Sequence, residues 1–401
     1  MERSSYPDEK RRDEELQDLS RSAAESLWRT KKEEAAPAER TGMGFLRSRF
    51  LPWLWNYLKV AFLPRERFRE YSAPASERPG IFGMPDRCVV ALASDWGTGT
   101  ASAYRVRDGM KAADPDITIH LGDVYYSGTS REFRDYFVGD DDWPRGSLRS
   151  HGPRGALATY TLNANHEMYS GGEGYFRTAL PALGQETSYF CLENSHWRIL
   201  AVDSGYYAKT FPFLELIVDF IRLHPANRTW LKEVVFADPD DRRPVILLSH
   251  HQWFSAFDSE YRRLGSHLEP YLDRVLIWFW GHEHRFAGYA PFGFRDIQVR
   301  ARCIGHGGMP IELGAEVKRH DRQLVFSDTR VAGRIDGVDI GFCGFAVLGF
   351  DGPALTIHYI DENGVQLLEE RWSAGPGGLS GSVALGSRLE TYELPLEALI
   401  R

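Results

Sequence analysis

Six short runs of aliphatic and β-branched residues recur along the chain, at 88–94, 117–121, 156–162, 198–202, 245–249 and 275–280. Helix-like segments lie between several of them: SAYRVRDGMKAA follows the first, ANRTWLKEVVFA precedes the fifth and SEYRRLGSHLEPYLDR precedes the sixth. Near-continuous apolar strands alternating with helices predict an α/β fold whose strands are buried on both faces. Asn227 is the expected N-cap of the second of these helices. Past residue 295 the helical signal fades, and RARCI, RQLVFSD, GFCGFAVLGFD and ALTIHYIDENG read as strands and turns, with DENG a tight turn.

Five of the runs end on polar residues able to bind a cation: Asp95, then Asp123, then Asn165 with His166, then His250 with His251, then His282, Glu283 and His284. In open α/β sheets ligands bind outside the carboxyl ends of the strands. Carboxylates, imidazoles and an amide oxygen suit borderline and hard metals such as Zn, Mn or Fe. An Asp between two imidazole-rich half-sites can bridge two cations. A pair about 3.5–4 Å apart can clamp both the attacking and the leaving oxygen of a phosphoryl displacement. The net charge is −8, so overall charge does not point to nucleic acid. An acidic chain that handles phosphate must attract it locally, as bound cations do.

The blocks SDWG, GDVYY, ANHE, SHHQ and GHEH resemble, in order, the five signature blocks of the calcineurin-like metallophosphoesterases, over about residues 88–360. The resemblance implies a four-layer α-β-β-α sandwich of two mixed sheets flanked by helices. The first block departs from the superfamily's usual Asp-x-His, because Gly97 stands where the His is expected. Tyr126 follows Asp123 by three residues, a pairing that looks like the purple acid phosphatases, with Tyr125 the neighbouring alternative. A phenolate there would favour Fe(III).

Carried over residue by residue, the resemblance implies that Asp95, Asp123, Tyr126 and His284 hold a first metal. Asp123, Asn165, His250 and His282 hold a second, with Asp123 bridging. Iron is expected in the first site and Fe, Zn or Mn in the second. His166 is assigned to the substrate's leaving oxygen, and Glu167 to orienting its imidazole. His251 and His306 are candidate substrate contacts; Tyr169, Glu173 and Tyr175 could line the pocket. Ala164 stands where the family usually has Gly, which is tolerable if the backbone there is not left-handed. His120 reads as a core histidine.

The implied activity is hydrolysis of phosphomonoesters by attack of a metal-bridging hydroxide, an acid-phosphatase-like reaction on a small-molecule ester. A phosphodiesterase acting on nucleotide or phospholipid-type substrates is the alternative. A reading of another class is a low-turnover metal-binding scaffold tethered to a membrane or partner.

The rest of the chain reads as accessory. Residues 1–43 form a charged, disordered arm. Residues 44–85 hold an amphipathic, aromatic-rich segment and a linker, and 44–64 could make a peripheral membrane or partner contact. The catalytic domain spans 86–365, and 366–401 read as a Gly/Ser-rich linker and tail. No run of about 18 apolar residues and no secretory h-region is seen, so a cytoplasmic location is expected. Cys88, Cys191, Cys303 and Cys343 lie in or beside apolar runs and read as buried thiols.

Overall fold

The computed structural model describes residues 65–139, 152–208, 220–292, 298–315, 317–318, 323–335, 337–375, 378–385 and 390–391. The charged arm, the 44–64 segment and residues 392–401 lie outside the described residues.

The first half carries strands β1 (Ile81–Gly83), β2 (Arg87–Ala93), β3 (Ile117–His120), β4 (Ala158–Thr161), β5 (Phe190–Glu193), β6 (Arg198–Ala201), β7 (Val245–Leu248) and β8 (Val275–Trp280). The second half adds β9 (Phe286–Tyr289), β10 (Arg300–Ile304), β11 (Leu324–Ser327), β12 (Val331–Ile335), β13 (Val338–Gly341) and β14 (Gly344–Asp351). The last are β15 (Ala354–Asp361), β16 (Gln366–Gly375), β17 (Gly378–Leu385) and β18 (Glu390–Thr391). One large sheet has nine strands in the order β1-β5-β6-β7-β8-β10-β9-β11-β18, the other seven in the order β17-β16-β15-β14-β2-β3-β4, and β12 and β13 form a separate two-stranded sheet. Both large sheets are mixed. β2, β3 and β4 run parallel while β14 pairs antiparallel to β2; β6, β7 and β8 run parallel while β9 is antiparallel to β10.

The two-residue period of a strand divides its side chains between layers. On β2, Val90 and Leu92 point into the core between the sheets, where they join Ile199, Ile246, Leu248 and Phe279 of the other sheet. Ala91 and Ala93 point outward, onto Val106 and Met110 of the helix Ala101–Ala112. That helix starts where the Thr100 hydroxyl accepts from the Ala103 N–H, and its buried Ala103, Val106 and Met110 follow the helical period. Trp278 and Trp280 of β8 face the opposite outer layer, against Trp230, Leu231, Leu264 and Leu268. Helices on both outer faces complete the α-β-β-α sandwich. Both sheets are thus covered, which is why their strands read as continuous apolar runs.

Three expectations need correction. The helix Pro225–Trp230 is capped by His224, whose Nδ1 accepts from the Ala226 N–H, and not by Asn227. Pro225 takes the first helical position, and Asn227 instead accepts from the Asp203 N–H. Residues 366–385 are not a linker, because β16 and β17 form a hairpin closing the seven-stranded sheet. Gly381 pairs with Trp372, and a Cβ there would collide with the indole, so the small residues fit a closely approached strand. Residues 65–85 also belong to the folded unit. Phe68 is buried with its ring 3.9 Å from that of His224, and β1 extends the nine-stranded sheet. The four cysteines are free and buried. Among the described residues no helix is long and apolar enough to cross a membrane.

Candidate metal centre

The polar residues that follow β2, β3, β4, β7 and β8 converge at one end of the sandwich. Asp95, Asp123 and His284 each offer a ligand atom within 4.8 Å of the others, as do His250, His251 and His282. Three of these positions need an unusual backbone. Asp95 has φ 57°, Asp123 φ 73° and His282 φ 65°, the left-handed region that non-glycine residues seldom occupy. Strain of this kind concentrates where the surroundings force a side chain into a working position. Asp95 Oδ2 accepts from the Ser94 hydroxyl at 2.7 Å and from the His282 N–H at 3.0 Å, which ties the first block to the fifth. Asp123 Oδ1 accepts from the His166 N–H at 3.1 Å, which ties the second to the third. Ala164 is extended at φ −142°, so the missing Gly of the third block costs nothing.

The second group carries an observation that hydrogen bonding within the chain does not resolve. His250 Nδ1 lies 3.0 Å from the Leu121 carbonyl, which only accepts, so Nδ1 carries the proton. Burial pushes the His250 pKa down to about 3, so the ring is neutral and Nε2 is a bare lone pair. That lone pair faces Asn165 Oδ1 at 3.0 Å and Asp123 Oδ2 at 3.5 Å. The Asn165 oxygen is fixed by its own amide, which donates to the Tyr169 hydroxyl at 3.2 Å. His282 Nδ1 points at the same oxygen from 3.1 Å. Acceptors aimed at one another in a buried space are what a cation accounts for, and neutral imidazole is the form that ligates one.

In the first group, burial opposes the charged form of Asp95, but hydrogen bonds with His284 and the Ser94 hydroxyl hold its carboxyl well below the usual range. Burial raises Asp123, as do the negative charges of Asp95 and Glu167. Two buried carboxylates side by side call for positive charge between them. The residues present therefore fit two metal ions.

The phenol that hydrogen-bonds to the first group is that of Tyr125, the neighbour of the expected Tyr126. The Tyr125 hydroxyl donates to Asp95 Oδ1 at 2.8 Å and to Asp123 Oδ2 at 3.1 Å, and lies 2.9 Å from His284 Nε2. The main chain of Tyr126 is held elsewhere. Its N–H donates to Glu132, and its carbonyl accepts from His166 Nδ1 at 2.8 Å. The Glu132 carboxylate also takes the N–H groups of Ser127 and Thr129, which sets the turn that turns Tyr125 inward.

Glu167 does not orient His166. Its carboxylate accepts from the Asp123 and Val124 N–H groups at 3.2 and 3.0 Å, so it shapes the Asp123 turn, and burial raises its pKa to about 8. The Tyr126 carbonyl orients the His166 ring instead, leaving Nε2 3.8 Å from Asp123 Oδ2. His251 is 1% exposed and its Nδ1 shares a hydrogen bond with Ser204, so it supports the His250 loop while lying in the His250–His282 group. His306 is also 1% exposed, with its ring stacked on Phe286 in the core, which removes it from the substrate contacts. Of the three pocket candidates, Tyr169 reaches the site through Asn165, whereas Glu173 binds Ser130 and Tyr175 donates to the Thr161 carbonyl. His120 is a core histidine paired with Thr161. Sequence reasoning missed Tyr261, whose hydroxyl lies 3.1 Å from His282 Nε2. The site meets solvent at His284, whose side chain is 31% exposed.

A calcineurin-like phosphoesterase family model matches residues 89–286. That stretch is therefore a calcineurin-like phosphoesterase domain, as the sequence blocks lead us to expect. No curated protein sequence matches the chain. Among solved structures, a purple acid phosphatase from yellow lupin (Lupinus luteus) seeds aligns with TM-score 0.45 and 16% identity, over 70% of this chain and 53% of its own. This chain thus spans about half the length of the lupin protein. PhoD aligns with TM-score 0.45 and 11% identity, over 76% of this chain and 72% of its own. A dimetal phosphatase from Danio rerio gives 0.40 and 10%, over 75% and 99%.

Proposed function

We propose that the protein is a dinuclear metal-dependent hydrolase of phosphomonoesters. The observation that carries this reading is the set of facing acceptors, His250 Nε2, Asn165 Oδ1 and Asp123 Oδ2, with His282 Nδ1 3.1 Å from the same Asn165 oxygen, beside the Asp95–Asp123–His284 group. Asp95, Asp123, Tyr125 and His284 would hold one ion, and Asp123, Asn165, His250 and His282 the other. Two such ions supply Lewis acidity, lowering the pKa of water and neutralising phosphate charge.

The chain's own groups do the remaining work. Asp95 and Asp123, fixed by the Ser94, His282 and His166 donors, set where the phosphate oxygens can sit. His166 presents Nε2 towards the site, with Nδ1 occupied by the Tyr126 carbonyl. Burial lowers the His166 pKa to about 3 against the opposing Asp95 charge, so the second proton it needs at Nε2 to donate to the leaving oxygen is one that an incoming phosphate's negative charge would favour. Such donation contributes about 10²–10⁴-fold. A diester is the second reading, since the metal site serves either ester.

The test is turnover of a chromogenic phosphomonoester and of its diester by protein reconstituted with Zn, Mn or Fe, beside Asp123→Ala. Metal-dependent monoester turnover absent from the variant supports the proposal. Turnover of the diester alone moves the assignment to a phosphodiesterase, and no turnover of either by protein with two metals bound overturns it.

A further inference from the structure

We infer that Tyr261 is a positioning residue for the second metal, acting through His282; this rests on the dinuclear reading above. His282 has its two ring nitrogens in different company. Nδ1 faces Asn165 Oδ1 at 3.1 Å, inside the cluster, and Nε2 meets the Tyr261 hydroxyl at 3.1 Å. Only the nitrogen without a proton can bind a cation, so the second nitrogen must donate. Tyr261 supplies the acceptor. A partner on the remote nitrogen of a ligating imidazole fixes the tautomer, orients the ring and raises its basicity.

Tyr261 is itself held at several points. Its N–H donates to the Trp253 carbonyl at 2.8 Å and its carbonyl accepts from the Gly265 N–H at 3.1 Å, which closes the loop between the fourth block and the helix Arg262–Leu268. Its ring lies edge-on to His251 at 5.3 Å. The same loop therefore joins the histidines of the fourth block to the tautomer of the fifth. His250 has the parallel arrangement, with the Leu121 carbonyl as its remote acceptor. The two imidazoles assigned to the second ion thus each carry an acceptor on the far nitrogen, one from the main chain and one from a side chain that can be changed.

The experiment is titration of metal-stripped full-length protein with Zn²⁺ by calorimetry, for wild type and Tyr261→Phe, with the melting temperature of each metal-free form. Phe keeps the ring and removes only the hydroxyl. The expected result is a second Zn²⁺ bound about 10–100-fold more weakly by the variant, with the first ion and the metal-free melting temperature unchanged. Two ions bound equally by both proteins overturns the assignment alone. A wild type that takes up no second ion overturns it together with the dinuclear reading. A variant weakened at both ions, with a lowered melting temperature, shows a merely structural role and also overturns it.

Discussion

The Tyr125 hydroxyl donates to Asp95 Oδ1 across 2.8 Å, placing a phenol where the family's first block has lost its histidine. Tyr125→Phe is expected to weaken the first ion and lower kcat, while Tyr126→Phe stays near wild type. With Fe(III) bound, a phenolate ligand also gives a visible charge-transfer band. Spectra of the two variants check the assignment: a band lost in Tyr126→Phe and kept in Tyr125→Phe would reverse it.

Replacing His166 by Ala is expected to lower kcat by about 10²–10⁴-fold with two metals still bound. Its ring nitrogens go to the Tyr126 carbonyl and the open site, with Nε2 3.8 Å from Asp123. Elemental analysis beside the kinetics separates the outcomes, since loss of metal along with turnover would make His166 a ligand.

The sites of Asp95, Asp123, Asn165, His250, His282 and His284 were legible because each follows an apolar run, and the run fixes which end of the sheet it occupies. The layer order was legible for the same reason, since strands covered on both faces have no polar alternation. The choice between Tyr125 and Tyr126 was not. It depends on Glu132 capturing three N–H groups of the turn, a contact that strand periodicity does not encode. The burial of His251 and His306 was not legible, because the motif gives a residue's address and not its burial. The strand nature of 378–385 was hidden by Gly and Ser, whose small size suits the approach to Trp372.

Arg302 of β10 and Glu370 of β16 join the two sheets through fully buried side chains, with Nε to Oε1 at 2.7 Å. Tyr359 also donates to Glu370 Oε1 at 2.8 Å, and Trp372 donates to Oε2 at 3.2 Å. Removing one partner leaves an unpaired buried charge, so Glu370→Ala is expected to cost about 3–5 kcal/mol. Denaturant unfolding of the variant checks this, and a loss under 1 kcal/mol would contradict it.

Metal removal is expected to destabilise the fold as well as stop turnover, because the facing acceptors then have no cation between them. Metal at about 100 times its Kd stabilises by about 2.7 kcal/mol per site. Melting curves with and without chelator should separate for wild type and draw together for Asp123→Ala.

The most direct test of the centre is metal content. Full-length wild type and Asp123→Ala would each be loaded with Zn²⁺, freed of excess and analysed for metal per chain. Two ions per wild-type chain, with at least one lost on removal of the shared carboxylate, is the predicted result. One ion or none in the wild type, or two ions retained in the variant, would contradict a centre bridged by Asp123.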